Sequence, residues 1–490
     1  MRHPTGPSLR GKRAVVLGLG LSNLPVIKYL LAAGAEVTAA DRKTAAELGP
    51  KYHEVAAFPV KLVLGPDYLA ALEGQDLAFL TPGMRRDLPE LTEAGAAGTV
   101  FGSEMTLFFA ACRAPIIGIT GSAGKTTTTT LVGLMLQASR ERVWVGGNIG
   151  RPLLGEVDQI RPDDLVVVEL SSFQLQDLTT SPHISAVLNV SPNHLDIHPT
   201  MEHYVNAKRN IYKHQAPRDF AVFGYDNETT RQMAAEYDRE VRRRRAGHAP
   251  VVFSRTRELG EGAFQSGDGL WLRLGGIDSA MPDGLICTRE QVTLVGEHNL
   301  DNILAAAAVA GLTGASSAAI THVATTFAGV EHRLELVRTL DGVRYYNDSK
   351  ATTPESTIAA LRALPGPVVL ILGGYDKHVG FGGLAREALV GGKVRDIVLM
   401  GATAGMLDAA LDEAVSELRS EGVAFIEPSR LRVDGGFAGA VWAAHRAARP
   451  GDTVLLSPAC ASFDMFANFE ERGAVYKRLV AELPALSPEA

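Results

Sequence analysis

Cysteine is scarce, at three residues in 490 (Cys112, Cys287 and Cys460). They lie far apart with no metal-ligand spacing, which argues against a disulfide scaffold and suits a reducing compartment. Long apolar runs are missing as well. None approaches ~18 residues, the length of a membrane span, and the stretch from Met1 to Arg13 is polar with no apolar signal core. The expectation is a chain that is neither exported nor membrane-spanning, hence cytoplasmic. An excess of basic charge is also absent. A net charge of −7 leaves no general footprint for nucleic acid or an anionic membrane surface. The one basic run, Arg242 to Arg245, sits among polar residues and reads as a solvated helix face. What remains is ordinary: 46% hydrophobic and 21% charged residues, the composition of a globular protein, with room for roughly three domains of ~150 residues.

Short apolar runs alternate with helical patterns along most of the chain, which predicts an α/β fold with mostly parallel sheets. Strands are expected at Ala14–Leu17, Glu36–Ala40, Ile116–Thr120, Leu165–Leu170, Ala186–Val190, Val368–Leu372, Asp396–Met400 and Thr453–Leu456. From about Asn227 to Val292 the alternation fades, predicting an insertion or small accessory sheet. A helix over Leu300–Leu312 reads as the last element of the middle domain, and a third alternating series starts at Val343. Three domains follow, at 1–110, 111–332 and 333–490.

The strongest local signal is Gly118-Ile119-Thr120-Gly121-Ser122-Ala123-Gly124-Lys125-Thr126-Thr127. A strand feeds a glycine-rich turn that opens a helix, so backbone N–H groups and the helix N-terminus can face phosphate oxygens. Lys125 would reach the terminal phosphates and the Thr126 hydroxyl would bind Mg²⁺. The usual spacing puts the first glycine at position 119, which here is isoleucine, so this is a variant loop. Glu169 ends a buried-strand pattern, where a carboxylate is well placed for a second contact to the ion. At the N-terminus, Gly18-x-Gly20 lacks a third glycine (Asn23 stands there), and Asp41 lies 21 residues beyond Gly20. That spacing suits a ribose-binding acid, and this region alone fits a nicotinamide dehydrogenase as well as a uridine diphosphate site.

Several segments, taken in order, resemble the Mur ligase family, which also contains folylpolyglutamate synthetase. They are Gly147-Asn148-Ile149-Gly150, Glu169-Leu170-Ser171-Ser172-Phe173-Gln174-Leu175, Asn189-Val190-Ser191-Pro192-Asn193-His194-Leu195-Asp196 and Ala207-Lys208. Gly296-Glu297-His298-Asn299 with Asn302, Glu331-His332-Arg333 and Asn347-Asp348-Ser349-Lys350-Ala351-Thr352 follow. Gly373-Gly374-Tyr375-Asp376-Lys377 and Leu456 through Asp464, continuing over Asn468 to Gly473, are similar to the members that add D-glutamate. The resemblance covers nearly the whole chain and is weakest at 42–80 and 227–290.

The resemblance implies an N-terminal Rossmann-like UDP-binding domain, a central P-loop ATPase domain with a parallel sheet, and a C-terminal Rossmann-like domain that binds the amino acid. It implies ATP-dependent addition of D-glutamate to UDP-N-acetylmuramoyl-L-alanine through an acyl phosphate, in peptidoglycan precursor synthesis, by a monomer. Catalysis would involve Lys125, Asn148, Glu169, His194 and Lys208. Two Mg²⁺ ions are implied, held by Thr126, Glu169, His194 and a carbamylated Lys208, whose carbamate would be a hard oxygen ligand. Besides the loop from Gly118 to Thr127, ATP would meet Asn302, Arg333, Asp348 and Lys350. The UDP substrate would meet Gly20, Leu21, Ser22, Asp41, Lys43, Thr81, Pro82, Gly83 and Asn148. D-Glutamate would meet Thr352, Lys377, Ser462 and the backbone at Phe469, by charge-assisted hydrogen bonds to its two carboxylates.

Two departures from the family pattern stand out. Its Thr-Asn-Gly-Lys is Ser122-Ala123-Gly124-Lys125 here, and its Asp-Thr-Arg is Asp41-Arg42-Lys43, where lysine can supply the charge without bidentate geometry. The rival readings are another Mur ligase with a different amino acid, folylpolyglutamate synthetase, and a nucleotide-sensing protein without turnover. The first ~105 residues argue against the synthetase, and Glu169, His194 and Lys208 together argue against the sensor.

Overall fold

The computed structural model describes residues 9–20, 23–140, 142–148, 152–192, 198, 200–278, 282–294, 296–364, 366–376 and 380–485. The fold is α/β and contains three sheets. The chain divides into two compact units, Met1–Phe327 and Ala328–Ala490. Among the described residues no helix is long and apolar enough to cross a membrane.

The first unit contains two sheets. The N-terminal one has five parallel strands in the order Lys61–Leu64, Glu36–Asp41, Arg13–Leu17, Leu77–Leu80, Val100–Gly102. Parallel strands put all their C-terminal ends along one edge. The loops after Leu17, Asp41 and Leu80 therefore lie side by side.

The central sheet has nine strands. Its parallel part runs Val143–Gly147, Leu165–Glu169, Ile116–Thr120, Ile184–Val187, Phe220–Gly224, Val251–Ser254, Gly262–Ser266. Two antiparallel strands, Gly269–Arg273 and Asp283–Thr288, finish the far edge. Every residue of Ile116–Thr120 and Leu165–Glu169 is buried. Side chains alternate between faces: Val166 and Val168 enter one core, Leu165 and Val167 the other. That two-sided burial is why these strands are uninterrupted apolar runs.

Two expectations for this unit are corrected. The segment from Asn227 to Val292 is no accessory sheet. It carries a helix, Glu228–Arg244, and four strands that extend the central sheet. The middle region also does not end with the helix His298–Leu312, because a further helix, Ser317–Thr326, follows it. The basic run Arg242–Arg245 closes the helix Glu228–Arg244, where Arg242, Arg243 and Arg244 pair with Asp238 and Glu240 on its own surface.

The second unit holds a six-stranded sheet in the order Glu335–Leu340, Val343–Asn347, Thr453–Leu456, Val368–Gly373, Val394–Met400, Ser429–Arg432. It begins one strand earlier than expected. Glu335–Leu340 pairs antiparallel with Val343–Asn347, and its half-exposed edge position gives it a mixed composition that masks the pattern.

Candidate active site

The phosphate loop lies between Ile116–Thr120 and the helix Lys125–Gln137. Gly124 has φ +81°, and a Cβ there would sit 2.2 Å from Asn302 Oδ1, so only glycine lets the helix begin this close to Asn302. The Lys125 ammonium folds back to donate to the Gly121 and Ser122 carbonyls, at 2.9 and 3.2 Å. Ala123 stands where the family carries asparagine, and here the loop is clasped from outside. Asn189 accepts from the Ala123 N–H at 2.9 Å and donates to its carbonyl at 3.1 Å. The Ser122 hydroxyl donates to the Ser191 carbonyl and lies 3.0 Å from the Tyr204 hydroxyl.

The adjacent strand end brings Glu169 to the same place. Its Oε1 accepts from the Asn148 side chain at 2.7 Å, while its Oε2 is buried with no hydrogen-bond partner. A buried carboxylate oxygen without a donor is costly, and a cation is the kind of group that would satisfy it.

Lys208 comes from the helix Met201–Lys213 and is only 1% exposed. Its ammonium donates to Thr120 Oγ1 at 3.3 Å and the Gly121 carbonyl at 3.1 Å, over the Tyr204 ring. Burial, and then the nearby charge of Lys125, drive its pKa well below the ordinary lysine value. Beside it, the buried His198 stacks on Phe173 and contacts Ser172 and His203. Ser172 and Phe173 belong to the Glu169–Leu175 segment, whereas the two histidines were marked by no motif. His194 lies outside the described residues. Among the described residues no group of three or more His, Cys, Asp or Glu side chains forms a metal site.

At one edge of the N-terminal sheet, the strand order places side by side the loops that carry Gly18 and Gly20, Asp41 and Lys43, and Thr81, Pro82 and Gly83. Asp41, though, is already engaged. It accepts from the backbone N–H of Leu19 at 2.6 Å and of Lys43 at 2.9 Å, which makes it a holder of the glycine loop. Asn23, in place of the third glycine, donates to the Leu17 and Gly18 carbonyls. Leu21 and Ser22 lie outside the described residues.

The second unit gathers Asp348, Lys350, Thr352, Ser462 and Phe469 around one loop system. Asp348 is buried, accepting from Ser457 Oγ at 2.7 Å and the Leu334 N–H at 3.2 Å. Burial raises its pKa to about 7. The Lys350 N–H donates to the carbonyl of His332, a residue at φ +63°. Arg333, next along, is exposed. Ser349 Oγ donates to the carbonyl of Phe469, at the start of the helix Phe469–Glu482. Ser462 is 2% exposed. Lys377 lies outside the described residues. Elsewhere, a cavity of about 740 Å³ between the helices Met201–Lys213 and Glu228–Arg244 uses none of the expected site residues.

Three family models match consecutive stretches. They are the Mur ligase MurD-like N-terminal domain at 12–102, the Mur ligase middle domain at 119–310, and the Mur ligase glutamate ligase domain at 332–460. The chain belongs to the Mur ligase family. This Mur ligase is 48% identical to a protein of Symbiobacterium thermophilum named UDP-N-acetylmuramoylalanine–D-glutamate ligase, over 96% of this chain and 98% of that one. A Clostridium novyi protein of the same name is 44% identical over 97% and 98%. Among solved structures, MurF from Acinetobacter baumannii matches with a TM-score of 0.55 at 17% identity, covering 96% and 94%. UDP-N-acetylmuramate-alanine ligase MurC from Thermotoga maritima matches with a TM-score of 0.54 at 16% identity, covering 96% and 100%. Those two likenesses bear on the fold. Mur ligases are ATP-dependent and use Mg²⁺, and the orphaned Glu169 oxygen beside a phosphate loop fits such an ion.

Proposed function

We propose that this Mur ligase adds D-glutamate to UDP-N-acetylmuramoyl-L-alanine, using ATP. The observation that carries this reading is the near-full-length identity to relatives of that name. Residues 1–110 would bind the UDP substrate, 111–332 ATP, and 333–490 the amino acid.

In the first half-reaction the substrate's terminal carboxylate attacks the γ-phosphorus of ATP, releasing ADP and forming an acyl phosphate. Two anions must meet, so positive charge has to gather at the γ-phosphate. Lys125 would leave its loop carbonyls for the phosphate oxygens. Asn148 would steady the transferring group, and Thr126 with Glu169 would hold Mg²⁺, which withdraws charge from the phosphoryl oxygens. In the second half-reaction the amine of D-glutamate, having lost a proton, attacks the acyl carbon. The tetrahedral intermediate then expels phosphate. Lys377, Thr352, Ser462 and the Phe469 backbone would hold the two carboxylates and leave the amine free.

Lys208 would act as a carbamate. A neutral amine adds to CO₂ and releases a proton, and burial beside Lys125 favours that neutral form. With His194 it would serve a second Mg²⁺.

The decisive test is ADP release by the purified protein with Mg²⁺ and UDP-N-acetylmuramoyl-L-alanine, across a panel of amino acids. D-Glutamate alone is expected to yield product. Equal rates with L-glutamate, L-lysine or meso-diaminopimelate would overturn the assignment.

A further inference from the structure

Arg472 has an unusual position for an arginine. It is fully buried, at 0% exposed, and among the described residues no carboxylate lies within ion-pairing distance. Asp464 acts on it only at longer range, and burial pulls its pKa down to about 10. Yet its five N–H donors are all used. Nε donates to Ser349 Oγ at 2.9 Å. Nη2 donates to the carbonyls of Ser349 at 2.8 Å and Cys460 at 3.1 Å. Nη1 donates to the carbonyls of Cys460 at 3.1 Å and Ala461 at 3.2 Å.

Those acceptors lie on two separate loops. Ser349 sits between Asp348 and Lys350, while Cys460 and Ala461 immediately precede Ser462. Ala459, next to them, is held at φ +60°, a strained value for a residue with a Cβ. Arg472 itself stands three residues into the helix that begins at Phe469. Ser349 Oγ closes the circuit by donating to the Phe469 carbonyl. One guanidinium thus ties together the segments that carry Ser462, Phe469 and the Asp348–Lys350 loop. The planar fork makes this possible, since an ammonium has three donors and no fixed plane.

The nucleotide-side loop has other anchors, because Asp348 is also held by Ser457 and by the Leu334 backbone. The Cys460–Ala461 carbonyls depend more heavily on Arg472. Their other partner is the Tyr375 N–H, which donates to Ala461 at 2.9 Å.

We propose that Arg472 is the positioning residue for the amino-acid half of the site, fixing the Cys460–Ala461 backbone so that Ser462 and Phe469 meet the incoming carboxylates in register. This rests on the ligase reading above. Burying a charge beside carbonyl dipoles is costly, and it is sustained here by complete hydrogen bonding. The same charge also favours a dianionic amino acid nearby.

The test is a comparison of wild type with Arg472→Lys and Ser349→Ala, after thermal unfolding has shown that each folds. Arg472→Lys keeps the charge and loses the fork. Its KM for D-glutamate is expected to rise about tenfold or more, the scale of losing hydrogen bonds to a charged group. Its KM for ATP, and the yield of acyl phosphate trapped by reduction without amino acid, should stay near wild type. Ser349→Ala should shift the D-glutamate KM the same way by a smaller factor. An unchanged D-glutamate KM in both variants, or equal loss of trapped acyl phosphate, would overturn the proposal. If Arg472→Lys fails to fold, Ser349→Ala alone decides by the same two readouts. A wild type that refuses D-glutamate but accepts another amino acid would overturn the substrate reading instead, and the KM comparison is then made with the accepted one.

Discussion

Lys208 is an amine with almost no water around it, set between a threonine hydroxyl and a backbone carbonyl of the phosphate loop. Such an amine is poorly suited to act as a permanent cation, and well suited to react as a neutral nucleophile. Lys208→Ala is expected to cut turnover by about 100-fold, the scale of losing one positioned electrostatic group. Added acetate should restore part of the rate if it stands in for the carboxylate of the proposed carbamate. Near-normal turnover in the variant would show that Lys208 is structural. The phosphate loop was legible from sequence because all its parts are adjacent. Its clasp was not. Asn189 reaches Ala123 across 66 positions and Tyr204 reaches Ser122 across 82. Arg472 reaches Ser349 across 123. Nothing local in the chain marks such pairs, and Arg472 was visible only as part of a motif.

At the scale of elements, Glu104 joins two of them. It sits in the first turn of the helix Glu104–Ala111 and accepts from the Leu154 N–H, in the 3₁₀ turn Leu153–Gln159, at 3.3 Å. Burial raises its pKa to about 7. Because the folded value lies above the unfolded one, folding takes up a proton between about pH 4.5 and 7. The stability this residue contributes is therefore full below that window and lost above it. Glu104→Gln mimics the protonated form. It should match wild type near pH 4.5 and exceed it near pH 8 by on the order of 3 kcal/mol in denaturant unfolding. A difference independent of pH would refute this.

Elements differ in how plainly the sequence announces them. Strands covered on both faces are continuous apolar runs and were mostly found to within a residue or two. The one expected at Ala186–Val190 instead runs Ile184–Val187, because the buried apolar run continues past the strand's end through Leu188 and Val190. The helix Glu228–Arg244 fully buries only Thr230, Met233 and Ala234, and its narrow apolar stripe, continued by the partly buried Tyr237, is set among charged and polar residues that hide it. The strand Gly269–Arg273 alternates half-exposed with buried residues beside glycines, which hid the sheet's far edge.

Across the whole molecule, the residues proposed for phosphoryl transfer, Lys125, Thr126 and Glu169, lie in Met1–Phe327. Those proposed for the amino acid lie in Ala328–Ala490, the unit that also carries Arg333, Asp348 and Lys350 for the nucleotide. Lys125→Ala is expected to leave almost no trapped acyl phosphate when reduced in the absence of D-glutamate. Lys377→Ala should leave it intact while amide formation fails. The reverse pattern would mean the two roles are exchanged.

The arrangement of the central sheet also affects how the protein is made. Among the described residues, the strand Ile116–Thr120 pairs with Leu165–Glu169 and Ile184–Val187, both later in the chain. Thr120 and its neighbour Val187 are separated by a length that a ribosome adding ~5–20 residues per second needs roughly 3–13 s to complete. Until Leu165–Glu169 has been made this apolar strand has neither partner, and until Ile184–Val187 follows it still lacks one. An apolar strand waiting for its partners is an aggregation hazard, and the glycine-rich loop that follows it can take shape only after its flanking strands have been synthesised.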